Sequence, residues 1–184
     1  SNMNILLIYP NINGQMQVQM GLASISSVLK ELNHNVALFD TTFIINEPFE
    51  SIASNLKDKI NEFMPDLLLV GCRSLEFDFV AKLIKAVNEK NIPVIVGGQH
   101  PTVAPEEVIK SDAVDYICLG EGEEAITDLV KAIEADGDTT NIKNIWAKRG
   151  DKIFRNPIRP LMQDLDKLPF PDYELFDSRH ISDM

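Results

Sequence analysis

Pro93-Val94-Ile95-Val96-Gly97-Gly98-Gln99-His100-Pro101-Thr102-Val103-Ala104-Pro105-Glu106-Glu107-Val108-Ile109 passes from a buried strand through a glycine turn to a helix start. Val94 to Val96 is too apolar and β-branched for a strand with one wet face, so it is expected in the middle of a parallel sheet covered on both faces. Gly97 and Gly98 end it without side chains. Bare backbone at the carboxyl end of a central strand permits either a tight turn or the close approach of a ligand. Pro105, followed by Glu106 and Glu107, marks the next helix start, because proline fits a first turn and carboxylates favour its positive end.

The same alternation runs outward in both directions. Asn4 to Tyr9 reads as a first buried strand, stopped by Pro10 and followed by a polar loop through Asn11, Asn13, Gly14, Gln15 and Gln17. Leu22, Ile25, Val28, Leu29 and Leu32 then recur at helical spacing. Val36 to Phe39 is a second strand, and Ile52, Leu56, Ile60 and Phe63 mark a second helix before Pro65. Asp66 to Cys72 is a third strand whose loop carries Arg73, Ser74 and Glu76; Phe77, Val80, Ala81, Ile84 and Val87 line a third helix. Past the opening stretch, a short helix is expected from about Ala104 to Lys110. Tyr116 to Leu119 is a fifth strand ended by Gly120-Glu121-Gly122, and Ala125, Ile126, Leu129, Val130 and Ile133 form the stripe of a longer helix.

Strands alternating with helices over short connections require a parallel sheet with helices on both faces, because right-handed crossovers put them there. The expected fold is α/β, a flavodoxin-like, doubly wound, five-stranded parallel sheet in the order 2-1-3-4-5, with a ligand at the carboxyl ends of the strands. That rule brings together loops 10–17, 72–76, 97–102 and 120–123. The expected domain spans 3–138. Residues 139–160, with Arg149-Gly150-Asp151 between two short apolar runs, read as a β-hairpin appendage at its edge. Residues 161–184 read as an extended linker, since Pro169 and Pro171 forbid helix around them.

The chain has 184 residues, 45% of them hydrophobic and 24% charged, with a formal charge of -11. No apolar run approaches a membrane-spanning length. The acidic balance, with scattered Lys and Arg, argues against a nucleic-acid partner and for a neutral or weakly charged small ligand. Cys72 and Cys118 sit at the ends of apolar strands and read as small buried hydrophobes. Without a cysteine framework or signal peptide, the expected compartment is the cytoplasm. Ser1-Asn2 ahead of Met3 reads as a tag remnant.

The loops exclude several chemistries known on this fold. A phosphoacceptor site needs acidic residues after the first strand, an aspartate ending the third and a lysine ending the fifth. Here those places hold Tyr9-Pro10, Gly71-Cys72 and Leu119-Gly120. Asn11 to Gln17 contains no Ser or Thr for a flavin phosphate, and no Gly-x-Gly-x-x-Gly follows the first strand. His100 beside Pro101 has no second ligand at useful spacing and reads as a loop-ordering hydrogen-bonder, not a metal ligand. What remains is backbone and amides, suited to a large ligand rich in amides.

Val96-Gly97-Gly98-Gln99-His100-Pro101-Thr102 with Pro105-Glu106-Glu107, and then Gly120-Glu121-Gly122-Glu123, resembles the amino-terminal cobalamin-binding domain of cobalamin-dependent radical SAM enzymes. Leu165 to Asp172 resembles the segment that leads, in that family, into the radical SAM barrel. The resemblance implies a corrin ring over the carboxyl ends of the strands, with its nucleotide tail running toward the glycines that end strands three to five. It carries over to Ser74, to Gly97, Gly98, Gln99 and Thr102, and to Gly120, Glu121 and Gly122, with Asn11, Asn13, Gly14 and Gln15 facing the corrin.

Mutase-type domains carry a cobalt-binding histidine after the first strand. The loop here has none, so cobalt is expected to lack a histidine ligand from it. The implied parent is a radical SAM enzyme, a methyltransferase or a related radical enzyme. Its iron-sulfur cluster and S-adenosylmethionine would be held elsewhere, because Cys72 and Cys118 cannot form a Cys-x-x-x-Cys-x-x-Cys motif. The implied partners are a corrinoid and the radical SAM domain of the same parent chain, with the present chain a binding module and not itself catalytic. The rival reading is a flavodoxin-like small-nucleotide-binding or protein-interaction domain without corrinoid.

Overall fold

A computed structural model describes residues 2–14, 19–160 and 168–181. Among them, one sheet holds seven strands in the order β2-β1-β3-β4-β5-β6-β7. The first five are β1 (Asn4–Tyr9), β2 (Asn35–Asp40), β3 (Leu67–Gly71), β4 (Val94–Gly97) and β5 (Tyr116–Cys118). They pair in parallel and in the expected order, with the switch point between β1 and β3. The expected count of five falls short by two. β6 (Ile145–Arg149) pairs antiparallel with β5, Ile117 opposite Trp146, and β7 (Lys152–Phe154) pairs antiparallel with β6. The hairpin is thus part of the sheet, and it covers the edge of β5 that would otherwise leave backbone groups unpaired.

Side-chain alternation divides the core. Leu6, Ile8, Leu68, Val70, Val94, Val96, Ile117 and Leu119 point to one face. There they pack against Ile52, Leu56 and Ile60 of α2 (Phe49–Phe63), Phe77, Val80 and Ile84 of α3 (Phe77–Val87), and Val108 and Ile109 farther along the chain. Ile5, Leu7, Leu67, Leu69, Ile95, Tyr116 and Cys118 point to the other. That face is covered by Leu22, Ala23 and Leu29 of α1 (Met20–Glu31) and by Ala125, Ile126, Leu129 and Val130 of α6 (Glu123–Glu134).

The chain after β4 differs from the single helix expected near Ala104. Two short helices occur, α4 (Gln99–Val103) and α5 (Pro105–Ile109), broken at Ala104 with φ -130° and ψ 60°. Pro105 is the cause, since it pushes the preceding residue out of the helical region. No described helix is long and apolar enough to cross a membrane.

The described part of the tail folds back on the domain. The Asp172 amide donates to Ala23 O (3.0 Å), and its carboxylate accepts from Ser26 Oγ (2.8 Å) and Lys30 Nζ (2.5 Å), all on α1. Beyond a short turn at Tyr173–Leu175 comes α7 (Ser178–Ile181). Phe176 lies edge-on to Tyr9, and His180, fully buried, meets Asp40 Oδ2 through Nε2 at 2.6 Å.

Candidate functional site

At the carboxyl ends of β3, β4 and β5 a cavity of about 270 Å³ opens between the sheet and helices α1 and α6. Strand register produces it. Gly71 lies opposite Gly97, and both continue the face that carries Leu69 and Ile95, so two neighbouring strands run out of side chains at the same level. Leu69, Ile95 and Cys118 line it from the sheet, Leu22, Ile25 and Ile126 from the helices, and Gly120, Glu121 and Gly122 at the rim. Glu121 and Glu123 are the only charged side chains among the described lining residues, so the interior favours an uncharged, apolar group.

The glycines have separate reasons to be there. A Cβ on Gly97 would meet only the Cβ of Cys118, at 3.7 Å, so that position is open toward the cavity. A Cβ on Gly71 would stand 2.6 Å from Gln19 Nε2 and 3.0 Å from Leu22 Cγ, where α1 starts close against the strand. Gln19 itself caps α1, its Oε1 accepting from the Leu22 amide at 2.9 Å. Gly98 has φ +105°, and its Cβ would lie 2.9 Å from Cys72 O. That turn is required by the backbone of the neighbouring strand. Thr102 then links two loops, donating from Oγ1 to Gly98 O (2.9 Å) and accepting there from the Gly120 amide (3.1 Å).

Residues 10–14 after β1 and 72–76 after β3 do not line this cavity. Asn11 is fully buried, with Nδ2 donating to Thr42 Oγ1 (2.9 Å) and Oδ1 accepting from the Asn13 amide (3.1 Å). Its side chain shapes the loop from within. Asn13 is exposed, Gly14 takes φ +65°, and Gln15 falls outside the described residues. Ser74 Oγ meets His100 Nδ1 at 2.9 Å, which ties the loop after β3 to α4. Arg73 hydrogen-bonds the buried Glu76 carboxylate (2.7 Å) while its guanidinium stays half exposed. Burial pushes the Tyr9 hydroxyl up to about 12 and does the same to the thiols of Cys72 and Cys118.

Of the residues singled out by sequence, Gly97, Gly98, Gly120, Glu121 and Gly122 converge on the cavity, and Thr102 braces two of its loops. Asn11, Asn13, Gly14, Ser74 and Gln99 do not line it. Sequence reasoning passed over Gln19, Gly21, Leu22 and Gly71, which do. A usable signal existed in Gly21, in the first turn of a helix, and in Gly71, the last residue of an otherwise Leu-rich strand.

The B12 binding domain family matches residues 14–130. An uncharacterized methyltransferase of Pyrococcus horikoshii is 32% identical over 94% of the chain, which covers 39% of that protein. An anaerobic magnesium-protoporphyrin IX monomethyl ester cyclase of Synechocystis is 29% identical over 80% of the chain, covering 30% of the relative. The chain therefore spans well under half the length of these relatives.

Among solved structures, the radical S-adenosylmethionine methyltransferase TsrM of Kitasatospora setae, with cobalamin and a [4Fe-4S] cluster bound, superposes with a TM-score of 0.74 at 20% identity, over 93% of this chain and 31% of that one. The cobalamin-dependent radical enzyme OxsB, with aqua-cobalamin and S-adenosylmethionine bound, gives 0.75 at 18% identity, over 99% and 25%. These two establish the fold. The chain belongs to the B12-binding domain family, whose ligand is cobalamin, and the corrinoid reading holds over a corrinoid-free flavodoxin-like domain.

Proposed function

We propose that this chain holds a cobalamin at the carboxyl ends of β3 to β5, with the nucleotide arm in the cavity and the corrin over the loops outside it. The observation that carries this reading is the open side-chain position at Gly97, facing a cavity that the backbone of Gly71 also lines. Bare backbone lets a flat apolar ring approach the sheet, and the space is sized for such an arm and not for a whole corrin. Gly120 and Gly122 would border the arm, and Leu22, Ile25 and Ile126 would cover it. Loop 10–17 has no histidine, so this reading gives cobalt no ligand from it. When bound, cobalamin supplies a cobalt centre for radical or group-carrier chemistry. The lining residues would bind and orient it and keep water from the flat base at the end of its arm. The wider reading is a module of a radical SAM enzyme, a methyltransferase or a related one, with cluster and S-adenosylmethionine on other domains of the parent. The tail from 161 onward would lead to them.

The direct test mixes the chain with hydroxocobalamin, desalts it and records the visible spectrum. A co-eluting corrinoid is expected with the unaltered chain. Gly97→Leu should lose it by about a hundredfold in affinity, because the new side chain fills the cavity. Near-native far-UV circular dichroism is expected in that variant. Equal retention by both proteins would sink the cavity assignment.

A further inference from the structure

The rim of the cavity is held in place from outside the matched 14–130 span. Asn144 precedes β6, is 3% exposed and takes φ +72°, a conformation that asparagine tolerates better than most residues. Each of its polar groups is used. Nδ2 donates to Leu119 O (2.8 Å) and Glu121 O (3.3 Å), and Oδ1 accepts from the Arg159 amide (2.6 Å). Its backbone carbonyl accepts from the Leu119 amide (2.8 Å), and its own amide donates to Pro157 O (2.9 Å). The partners fix the orientation of the side-chain amide, since two carbonyls face one end and an N–H faces the other.

Leu119 and Glu121 flank Gly120, in the loop that borders the cavity. Their carbonyls are turned to Asn144 and not left toward an apolar space, where an unpaired carbonyl would be costly. Arg159 anchors the far side, through Glu124 Oε2 (3.2 Å) and Asp128 Oδ2 (3.2 Å) on α6 and Lys143 O (2.9 Å). One amide thereby fastens the glycine rim to the chain that leaves the hairpin.

We propose that Asn144 is a positioning residue of the cofactor site, setting the path of Leu119 to Gly122 so that the cavity stays open to the cobalamin arm. This rests on the corrinoid reading above. With or without corrinoid, the rim loosens when the side-chain amide is removed.

The test uses the 184-residue chain in three forms besides the unaltered one. Asn144→Gly keeps the left-handed backbone and deletes the clasp. Asn144→Asp keeps size and backbone but cannot donate to two carbonyls, and it serves if the glycine variant fails to fold. Asn156→Ala is the control: Asn156 Nδ2 also donates to two carbonyls, Thr140 O (3.0 Å) and Ile145 O (2.7 Å), and neither it nor those partners line the cavity.

Amide exchange over 119–123 without corrinoid should rise by about tenfold or more in both Asn144 variants, and hydroxocobalamin affinity should fall by about tenfold. Asn156→Ala should lose thermal stability while keeping both readouts within about twofold of the unaltered chain. Unchanged exchange in the Asn144 variants, or an equal affinity loss in Asn156→Ala, would overturn the proposal. Failure of the unaltered chain to take up hydroxocobalamin overturns the corrinoid reading and the cofactor role of Asn144 with it, while the exchange result still decides whether the clasp exists.

Discussion

The two faces of the sheet have the same strands and opposite fates. On the α2 and α3 side, Val70, Val96 and, just past β5, Leu119 fill the carboxyl end of the sheet with buried side chains. On the α1 and α6 side, the neighbouring positions are Gly71 and Gly97, and a cavity remains. Hydrophobicity does not distinguish the faces, since both are built from Leu, Ile and Val. Alternation does: a glycine placed on odd or even positions at a strand end decides which side of the domain can take a ligand.

That contrast is breakable at several points. The largest effect is expected from Leu68→Ala on the filled face, where a fully buried side chain leaves a void. Chemical denaturation should register a loss of about 2–5 kcal/mol, while corrinoid affinity of the folded fraction stays unchanged. Next come the adjacent glycines. Gly98→Ala puts a Cβ against Cys72 O at a positive φ and should cost about 1–3 kcal/mol of stability. Gly97→Ala, measured in the same melts, should stay within about 0.5 kcal/mol and weaken only corrinoid binding. The reverse pattern would mean that the two glycines have been assigned the wrong roles.

A smaller effect concerns the tail on α1. Burial works to raise the Asp172 carboxyl, but hydrogen bonds from Lys30 and Ser26 outweigh it and hold it below the ordinary range. A carboxyl lowered by folding stabilises above its unfolded value of about 3.9, and that contribution fades as pH falls through the folded value. Asp172→Asn should therefore cost about 1 kcal/mol at neutral pH, and the deficit should shrink in melts taken below about pH 4. The smallest expected effect is on the thiols. Both are pushed up to about 12 by burial, so alkylation at pH 8 should be slow for both. Added corrinoid should slow it further at Cys118, which lines the cavity, and not at Cys72 on the other face.

Much of this is legible in the sequence, because it depends on local periodicity. The parallel strands from Asn4, Asn35, Leu67, Val94 and Tyr116, their order and the edge at which the cavity opens follow from apolar runs and their glycine ends. What escaped depends on long-range hydrogen bonds. Nothing near Ile145 announces that it pairs with Cys118, and nothing near Asp172 announces Ser26 and Lys30. Asn11 reads from sequence as a polar loop residue, and nothing near it announces that its amide reaches Thr42, beyond the end of β2. Gly71 was hidden for a different reason. Its importance lies in being level with Gly97, and register is a property of two strands together.

Thr102 carries a mechanical consequence. A single hydroxyl joins Gly98 O to the Gly120 amide, while Gly98 rests on the backbone of Cys72. The ends of three strands are thus strutted together across the top of the sheet, and a force on the Gly120 loop is borne by β3 as well as by β5. Thr102→Val would keep the bulk of the strut and cut both of its joints, leaving two loops that yield separately where one stiff rim stood before.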